Sequence, residues 1–270
     1  MLISNKLIDD FAQLVKTNEV RQFKGDLKVG VDLGTANIVV SVVDEQNNPI
    51  AGATRNSTVV KDGIVVDYVG AIRILKEIKQ ELENKLNVKL INAATAIPPR
   101  ISEGNIKAFA NVVEGVGFNV VNIVDEPSAA ADVLKIDNGA VVDIGGGTTG
   151  ISIIKNNEII FTADEPTGGG HMTLTLAGHN KISIEEAELL KKDKQKEEDI
   201  FFIVRPVIQK MASIVKNYLR NYDTNELYLV GGACSFSEFE DVFETELKIK
   251  TIKAKEPLFV TPLGVAINCK

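Results

Sequence analysis

Residues 140–154 read AVVDIGGGTTGISII, and the reading of this stretch decides the fold. Three glycines and two threonines lie between two apolar runs rich in β-branched residues. The Walker A pattern is excluded because no Lys follows the glycines, and the dinucleotide fingerprint needs a helix after its loop. Here the chain continues as Ile151, Ser152, Ile153 and Ile154, and branched side chains suit a pleated strand. The prediction is a strand, a glycine loop and a second strand. The loop itself has two readings: a tight hairpin turn, or a phosphate cradle made of loop N–H groups.

An earlier stretch repeats the pattern. VDLGT at 31–35 and VDIGGGT at 142–148 each place Val-Asp at the end of an apolar strand, then Gly and Thr, then another β-branched strand. The echo points to two related halves. Two such loops facing across a cleft form a clamp. Glycine lets backbone N–H groups approach an anion because no Cβ intervenes. Thr35, Thr148 and Thr149 add hydroxyl donors, and Asp32 and Asp143 fall at the strand ends. Carboxylates repel phosphate, but they hold Mg2+ through its waters, and the metal bridges them to the phosphates. Asp plus glycine loop, twice, therefore predicts a magnesium–nucleotide rather than a bare anion.

The bulk properties narrow the function classes. A chain of 270 residues has length for one large or two medium domains with a real core. Its 44% apolar and 25% charged content is that of a globular protein. A net charge of −7 argues against a nucleic-acid surface and against an anionic membrane. No apolar run is long enough to span a bilayer. The opening MLISNKLIDDFAQLVK is interrupted by Lys6, Asp9 and Asp10, unlike a secretory signal. Cys234 and Cys269 lack CxxC spacing and a His partner, so free thiols in a reducing cytoplasm are expected. His171 and His179 make no metal-ligand cluster.

Along the chain, strands and helices alternate, which predicts an α/β fold with mixed sheets. Residues 5–16 place Leu7, Ile8, Phe11, Leu14 and Val15 on one helical face, followed by a polar linker. That helix either packs on its own first lobe or docks to another protein. Helices are expected at about 69–86 and after Ser102 as a cap, and 119–134 runs from strand to helix with Pro127 first in the helix. EIIFTADEPTGGGHMTLTLAG reads as a strand and a glycine-rich loop. EEAELLKKDKQKEED (185–199) reads as a solvated helix and hinge, with Ser183 and Glu186 at capping-box spacing. The next helix is expected to bury Ile203, Val207, Ile208, Met211, Ile214 and Tyr218. A strand, a Gly231-Gly232 turn and a helix follow, and VTPLGVAIN (260–268) closes the fold as a helix.

Five segments in order, VGVDLGTANI, VDEPSAAA, VVDIGGGTTGISI, LYLVGGACSF and TPLGVAI, resemble the nucleotide site of the actin, Hsp70 and sugar-kinase superfamily. Within it, the chain resembles the EutJ-type ethanolamine-utilisation family, which is chaperone-like. DEPSAAADVLKIDNGAVVDIGGGTTGISIIKNNEI and ADEPTGGGHMTLTLAGHNKISIEEAE carry that likeness, which covers residues 28–267. The resemblance implies two RNase H-like lobes, at 28–136 and 137–270, after an N-terminal helix and linker at 1–27, with ATP and Mg2+ between the lobes. It implies Asp32 and Asp143 on the Mg2+ side and Glu126 positioning the attacking water. Gly34, Thr35, Gly145, Gly146, Gly147 and Thr148 would contact phosphates, and Gly168, Gly169 and Gly170 would lie near the γ-phosphate. Gly231 and Gly232 would meet the adenosine, and Gly264 would be the small residue where the two connecting helices cross.

Departures from the superfamily pattern shape the functional expectation. Ala36 stands where Hsp70-type loops often carry a second Thr, and Ser235 where an Arg stacks on adenine. The segment from Gly178 to Glu226 is short for a full upper subdomain of the second lobe. No counterpart of the catalytic Lys is evident; Lys61 sits in a stretch more like a bacterial actin. The expectation is an intact phosphate clamp with a reduced base pocket, binding nucleotide weakly and hydrolysing it slowly. By family resemblance, the partner is a protein client of the ethanolamine pathway or its microcompartment shell, in the cytoplasm. A catalytically weak pseudo-ATPase adaptor or scaffold is the alternative.

Overall fold

A computed structural model describes residues 2–270. The first half builds β1 (Lys28–Leu33), β2 (Asn37–Val43), β3 (Pro49–Asn56), a small hairpin of β4 (Val60–Lys61) and β5 (Ile64–Val65), α2 (Tyr68–Leu86), β6 (Asn92–Ile97), α3 (Glu103–Glu114), β7 (Asn119–Asp125) and α4 (Glu126–Leu134), all preceded by α1 (Leu2–Thr17). The second builds β8 (Gly139–Ile144), β9 (Thr149–Lys155), β10 (Glu158–Glu165), α5 (Gly169–Asn180), α6 (Ile184–Lys191), α7 (Glu197–Leu219), β11 (Glu226–Val230), α8 (Phe239–Leu247), β12 (Lys250–Lys253) and α9 (Val260–Ile267).

The two halves share one plan. The first sheet runs β3-β2-β1-β6-β7 and the second β10-β9-β8-β11-β12. In each, three antiparallel strands at one edge continue into parallel neighbours through the central strand, β1 or β8. The sequence echo thus falls at the C-terminal ends of equivalent central strands. All six residues of β8 are buried, because helices cover both faces of its sheet.

Local chemistry explains several boundaries. Ser102 caps α3 through the Asn105 N–H, and Asp125 caps α4 through the Ser128 N–H at 3.1 Å. Glu126, not Pro127, is the first residue of α4, so Pro127 takes the second position, where its missing N–H is still harmless. Ser183 and Glu186 close a reciprocal capping box at the start of α6. Two expectations shift. The glycine-rich loop after β10 passes directly into α5, whose Thr-rich sequence has no apolar periodicity to announce a helix. α7 buries Ile200, Val204, Ile208, Met211, Val215 and Leu219, so its inner face is rotated from the expected one. Ile203, Val207 and Tyr218 lie half-buried at its margin.

Chain order and packing order differ in one decisive way. α4, from the first half, lies on β8 and β9 of the second sheet, whereas α9, from the second half, lies on β1 and β2 of the first. The two helices cross at Gly264, where a Cβ would come within 2.0 Å of the Ala129 carbonyl oxygen. A cluster joining Val39, Ala130, Val141, Val230 and Leu263 therefore belongs to both halves. α1 completes it. Its Ile8 and Phe11 are fully buried, and Phe11 meets the Phe259 ring edge-on at 5.6 Å. Ion pairs Lys16–Glu256 near its C-terminal end and Asp9–Lys255 at its middle add to the contact. Of the two alternatives for α1, its apolar face is used on its own body. No helix of the described residues is long and apolar enough to cross a membrane.

Candidate nucleotide-binding cleft

A cleft of about 390 Å3 opens between the two sheets, within the size range of small-ligand sites. The loops after β1 and β8 meet across it. A Cβ on Gly146 would lie 3.1 Å from the Ala36 Cβ and 3.2 Å from the Thr35 Cβ. A Cβ on Gly147 would lie 3.0 Å from both the Thr35 hydroxyl and the Asp62 carboxylate at the tip of the β4–β5 hairpin. The jaws are thus in contact, and side chains at these glycines would force them apart.

The loop backbones are prepared for an acceptor. Gly145 donates its N–H to Thr148 O at 3.0 Å, which sets the turn. Among the described residues, the N–H groups of Gly146, Gly147 and Thr148 find no backbone partner, and neither do those of Gly34, Thr35 and Ala36. Such groups need water or a ligand to satisfy them.

Below the loops, Asp32, Glu126 and Asp143 all line the cleft. Asp32 and Glu126 keep part of their surface toward the cleft, while protein surrounds them elsewhere. Burial, then the Asp143 charge, pushes Asp32 up to about 7. Burial pushes Asp143 up to about 6, against a hydrogen bond from Thr261 that favours its charged form. Glu126 is raised well above the usual carboxylate range by burial and then by Asp143 and Asp32. Burial likewise raises Asp164, on β10, to about 7, against the Thr148 hydroxyl, which favours its charged form. Several acids forced together in a low-dielectric floor need a cation to ionise together. Among the described residues, no three His, Cys, Asp or Glu side chains lie close enough to hold a metal ion directly. A hydrated Mg2+ fits such a floor, because its waters span the extra distance. When bound there it would neutralise the acids and the phosphates together.

The other predicted residues divide into two groups. Gly34, Thr35, Gly145, Gly146, Gly147, Thr148, Gly169, Gly231 and Gly232 line the cleft. Gly168 and Gly170 do not. Gly169 and Gly170 donate their N–H groups to Gly145 O at 2.9 Å and Gly146 O at 2.7 Å, so this run braces the second loop from behind. The run therefore lies against the second loop, and the Gly169 and Gly170 N–H groups are already engaged by its carbonyls. His171 accepts from the Gly168 N–H through Nδ1 and closes the start of α5. Gly231 has φ +91°, and a Cβ there would lie 2.4 Å from Asp143 Oδ1, so only glycine brings this turn beside the acid.

The cleft wall also contains residues that sequence reasoning left in solvent. Glu188, Lys191, Lys192, Asp193, Lys194 and Glu197 line it, with Ser235, Phe236 and Leu258. Lys194 donates to Ser235 O at 2.9 Å, and Glu197 accepts from the Ser237 N–H at 2.5 Å. The turn between α6 and α7 thus supplies a wall of the cleft beside Ser235, where a reduced pocket was expected. Mixed charges at helical spacing look the same on a solvated helix and on a cleft wall, so no sequence signal distinguished them. Lys61 is exposed and does not line the cleft.

The chain matches a known family over most of its length. It is 41% identical over 241 residues to the ethanolamine utilization protein EutJ of Escherichia coli, covering 89% of this chain and 85% of that one. The chain belongs to the EutJ family of ethanolamine utilization proteins. A crystal structure of EutJ from Carboxydothermus hydrogenoformans superposes with a TM-score of 0.94 at 47% identity, covering 98% of each chain. The MreB/Mbl protein family matches residues 51–179, and the cell division protein FtsA family residues 140–264. MreB5 of Spiroplasma citri, solved with ADP, shares the fold with a TM-score of 0.72 at 21% identity, over 89% of this chain and 95% of that one. This EutJ-family chain therefore has the actin-like ATPase fold, and the contacting glycine loops lie at the ends of its two central strands.

Proposed function

We propose that this chain is a nucleotide-dependent switch of ethanolamine utilisation. Mg-ATP binds between the lobes, and the lobe angle acts on a protein partner of the pathway or its microcompartment in a chaperone-like way. The observation that carries the reading is the pair of glycine loops in contact, with N–H groups free of backbone partners, in one cleft with three acids. Anion donors above and a cation floor below suit the two charge signs of a magnesium–polyphosphate.

Hydrolysis is slow on this reading. The lysines on the cleft wall, Lys191, Lys192 and Lys194, each pair with Glu188 or Glu197, so their charges are already engaged. A developing phosphate charge would meet only backbone N–H groups, hydroxyls and the metal. The adaptor reading, in which nucleotide binds without turnover, draws on the same observation.

Calorimetry with ATP, ADP and inorganic triphosphate, each with and without Mg2+, tests the site. Binding that requires Mg2+ and is lost in Asp143→Ala supports it; Mg2+-independent binding, or binding unchanged in that variant, refutes it. Single-turnover phosphate release then separates a slow ATPase from an adaptor. Release that depends on ethanolamine would sink both in favour of a small-molecule kinase.

A further inference from the structure

Lys191 is a cation on the cleft wall beside the second phosphate loop, with only 13% of its side chain exposed. Its position invites a phosphate-binding role, but its hydrogen bonds argue otherwise. Lys191 Nζ donates to Gly169 O at 3.1 Å, to Thr173 Oγ1 at 2.7 Å and to Glu188 Oε2 at 2.6 Å. An ammonium has three N–H donors, and all three are engaged. Thr173 is buried and also reaches Glu188 Oε2 at 2.6 Å, so the set is closed on itself.

The same atoms form a continuous path away from the nucleotide cleft. The carbonyls of Gly145 and Gly146 accept from the N–H groups of Gly169 and Gly170. The Gly169 carbonyl accepts from Lys191, and Lys191 and Glu188 are both on α6. A side chain at Gly169 would lie 3.3 Å from the Ala233 Cβ and 3.5 Å from Lys191 Nζ, so the path is tightly packed. Leu189, two residues before Lys191 and so on the far side of α6, is 73% exposed. The phosphate loop thus connects to α6, with Leu189 on its outer side, by two hydrogen bonds in series.

We propose that Lys191 is a positioning residue that passes the state of the second phosphate loop to helix α6. It holds the Gly169 carbonyl, and through it the loop, without touching the ligand. A ligand that pulls the N–H groups of Gly146 and Gly147 toward itself moves the Gly145 and Gly146 carbonyls of the same peptides, then the Gly169–Gly170 peptides, then Lys191 and α6. Coupling of this kind links two sites by one shared element. The proposal rests on nucleotide binding in the cleft for its ligand.

The chain contains no Trp, so Leu189→Trp supplies a single fluorophore on the outer face of α6. The expected result is an emission shift when Mg-ATP is added to this protein. In Leu189→Trp combined with Lys191→Met, Mg-ATP still binds by calorimetry, about tenfold more weakly, and the emission no longer shifts. An equal shift in both proteins, or tight binding with no shift in the first, overturns the relay. Glu188→Gln, which removes the charge that holds Lys191, repeats the test if the methionine variant does not fold. If the parent binds no Mg-nucleotide, the functional reading fails and amide exchange on the ligand-free chain decides the brace alone. Lys191→Met must then speed exchange at Gly169 and Gly170 by about tenfold or more, and an unchanged rate overturns the proposal.

Discussion

Gly264→Ala tests the crossing that ties the two lobes together. The added Cβ would lie 2.0 Å from the Ala129 oxygen and 2.5 Å from the Ala129 carbon. Carbon contacts prefer about 3.5 Å, so α4 and α9 must part by on the order of 1.5 Å. Neither atom is the end of a flexible side chain; both are helix backbone, and α9 lies on one sheet while α4 lies on the other. Overpacking costs about 1–3 kcal/mol where side chains yield. A backbone collision belongs at the top of that range, about 3 kcal/mol. For a protein of this size that lowers Tm by roughly 6–12 °C. Thermal unfolding by circular dichroism reads the change. Gly178→Ala is the control, because a Cβ there meets nothing within 4 Å and the residue lies inside α5. That variant gains about 0.5–1 kcal/mol from reduced unfolded-state freedom. A Tm for Gly264→Ala within about 2 °C of the parent would refute the packing argument.

The remaining predictions concern the cleft and α1. With Asp32 at about 7 and Asp143 at about 6, the folded chain holds more protons than the unfolded chain above pH 4. The stability these acids contribute is present at low pH and lost as pH rises through 6–7. The Tm of the metal-free protein should fall between pH 5.5 and 7.5, and Asp143→Asn should flatten that slope; a rising Tm contradicts the burial argument. Gly147→Ala crowds Thr35 and Asp62 at 3.0 Å, so Mg-ATP affinity measured by calorimetry should drop about tenfold. An unchanged affinity would mean the jaws are not in contact in solution. Phe11→Ala leaves a cavity against Phe259 and Gly52 and should cost about 3–5 kcal/mol in urea unfolding. A loss below about 1 kcal/mol would show that α1 is detached in solution.

Much of the fold was legible because its signals are local. The strand–loop–strand units at 28–43 and 139–155 follow from β-branched runs broken by glycine, and both loops close where expected. The caps at Ser102 and Ser183 are short-range hydrogen bonds that spacing alone reveals. α5 was missed because its buried positions, Met172, Thr173 and Leu176, do not form an apolar stripe. The inner face of α7 was misplaced because two adjacent stripes are apolar, and only contact with α8 and α5 selects one.

The sequence by itself determined which atoms are available: two Asp-and-glycine loops, their threonines, and the order of the motifs around them. Chain geometry near each glycine is short-ranged, so those features needed no partner to be read. Tertiary structure alone decided what faces them. It brought Gly146 against Ala36, set Glu126 on the shared floor, and exchanged α4 and α9 between the sheets. It also turned Gly168 and Gly170 away from the cleft and moved the charged run at 188–197 onto its wall. The reason is physical: a charge or an N–H is identical in sequence whether it meets water, a carbonyl or a ligand. Only residues distant along the chain determine which of the three it meets.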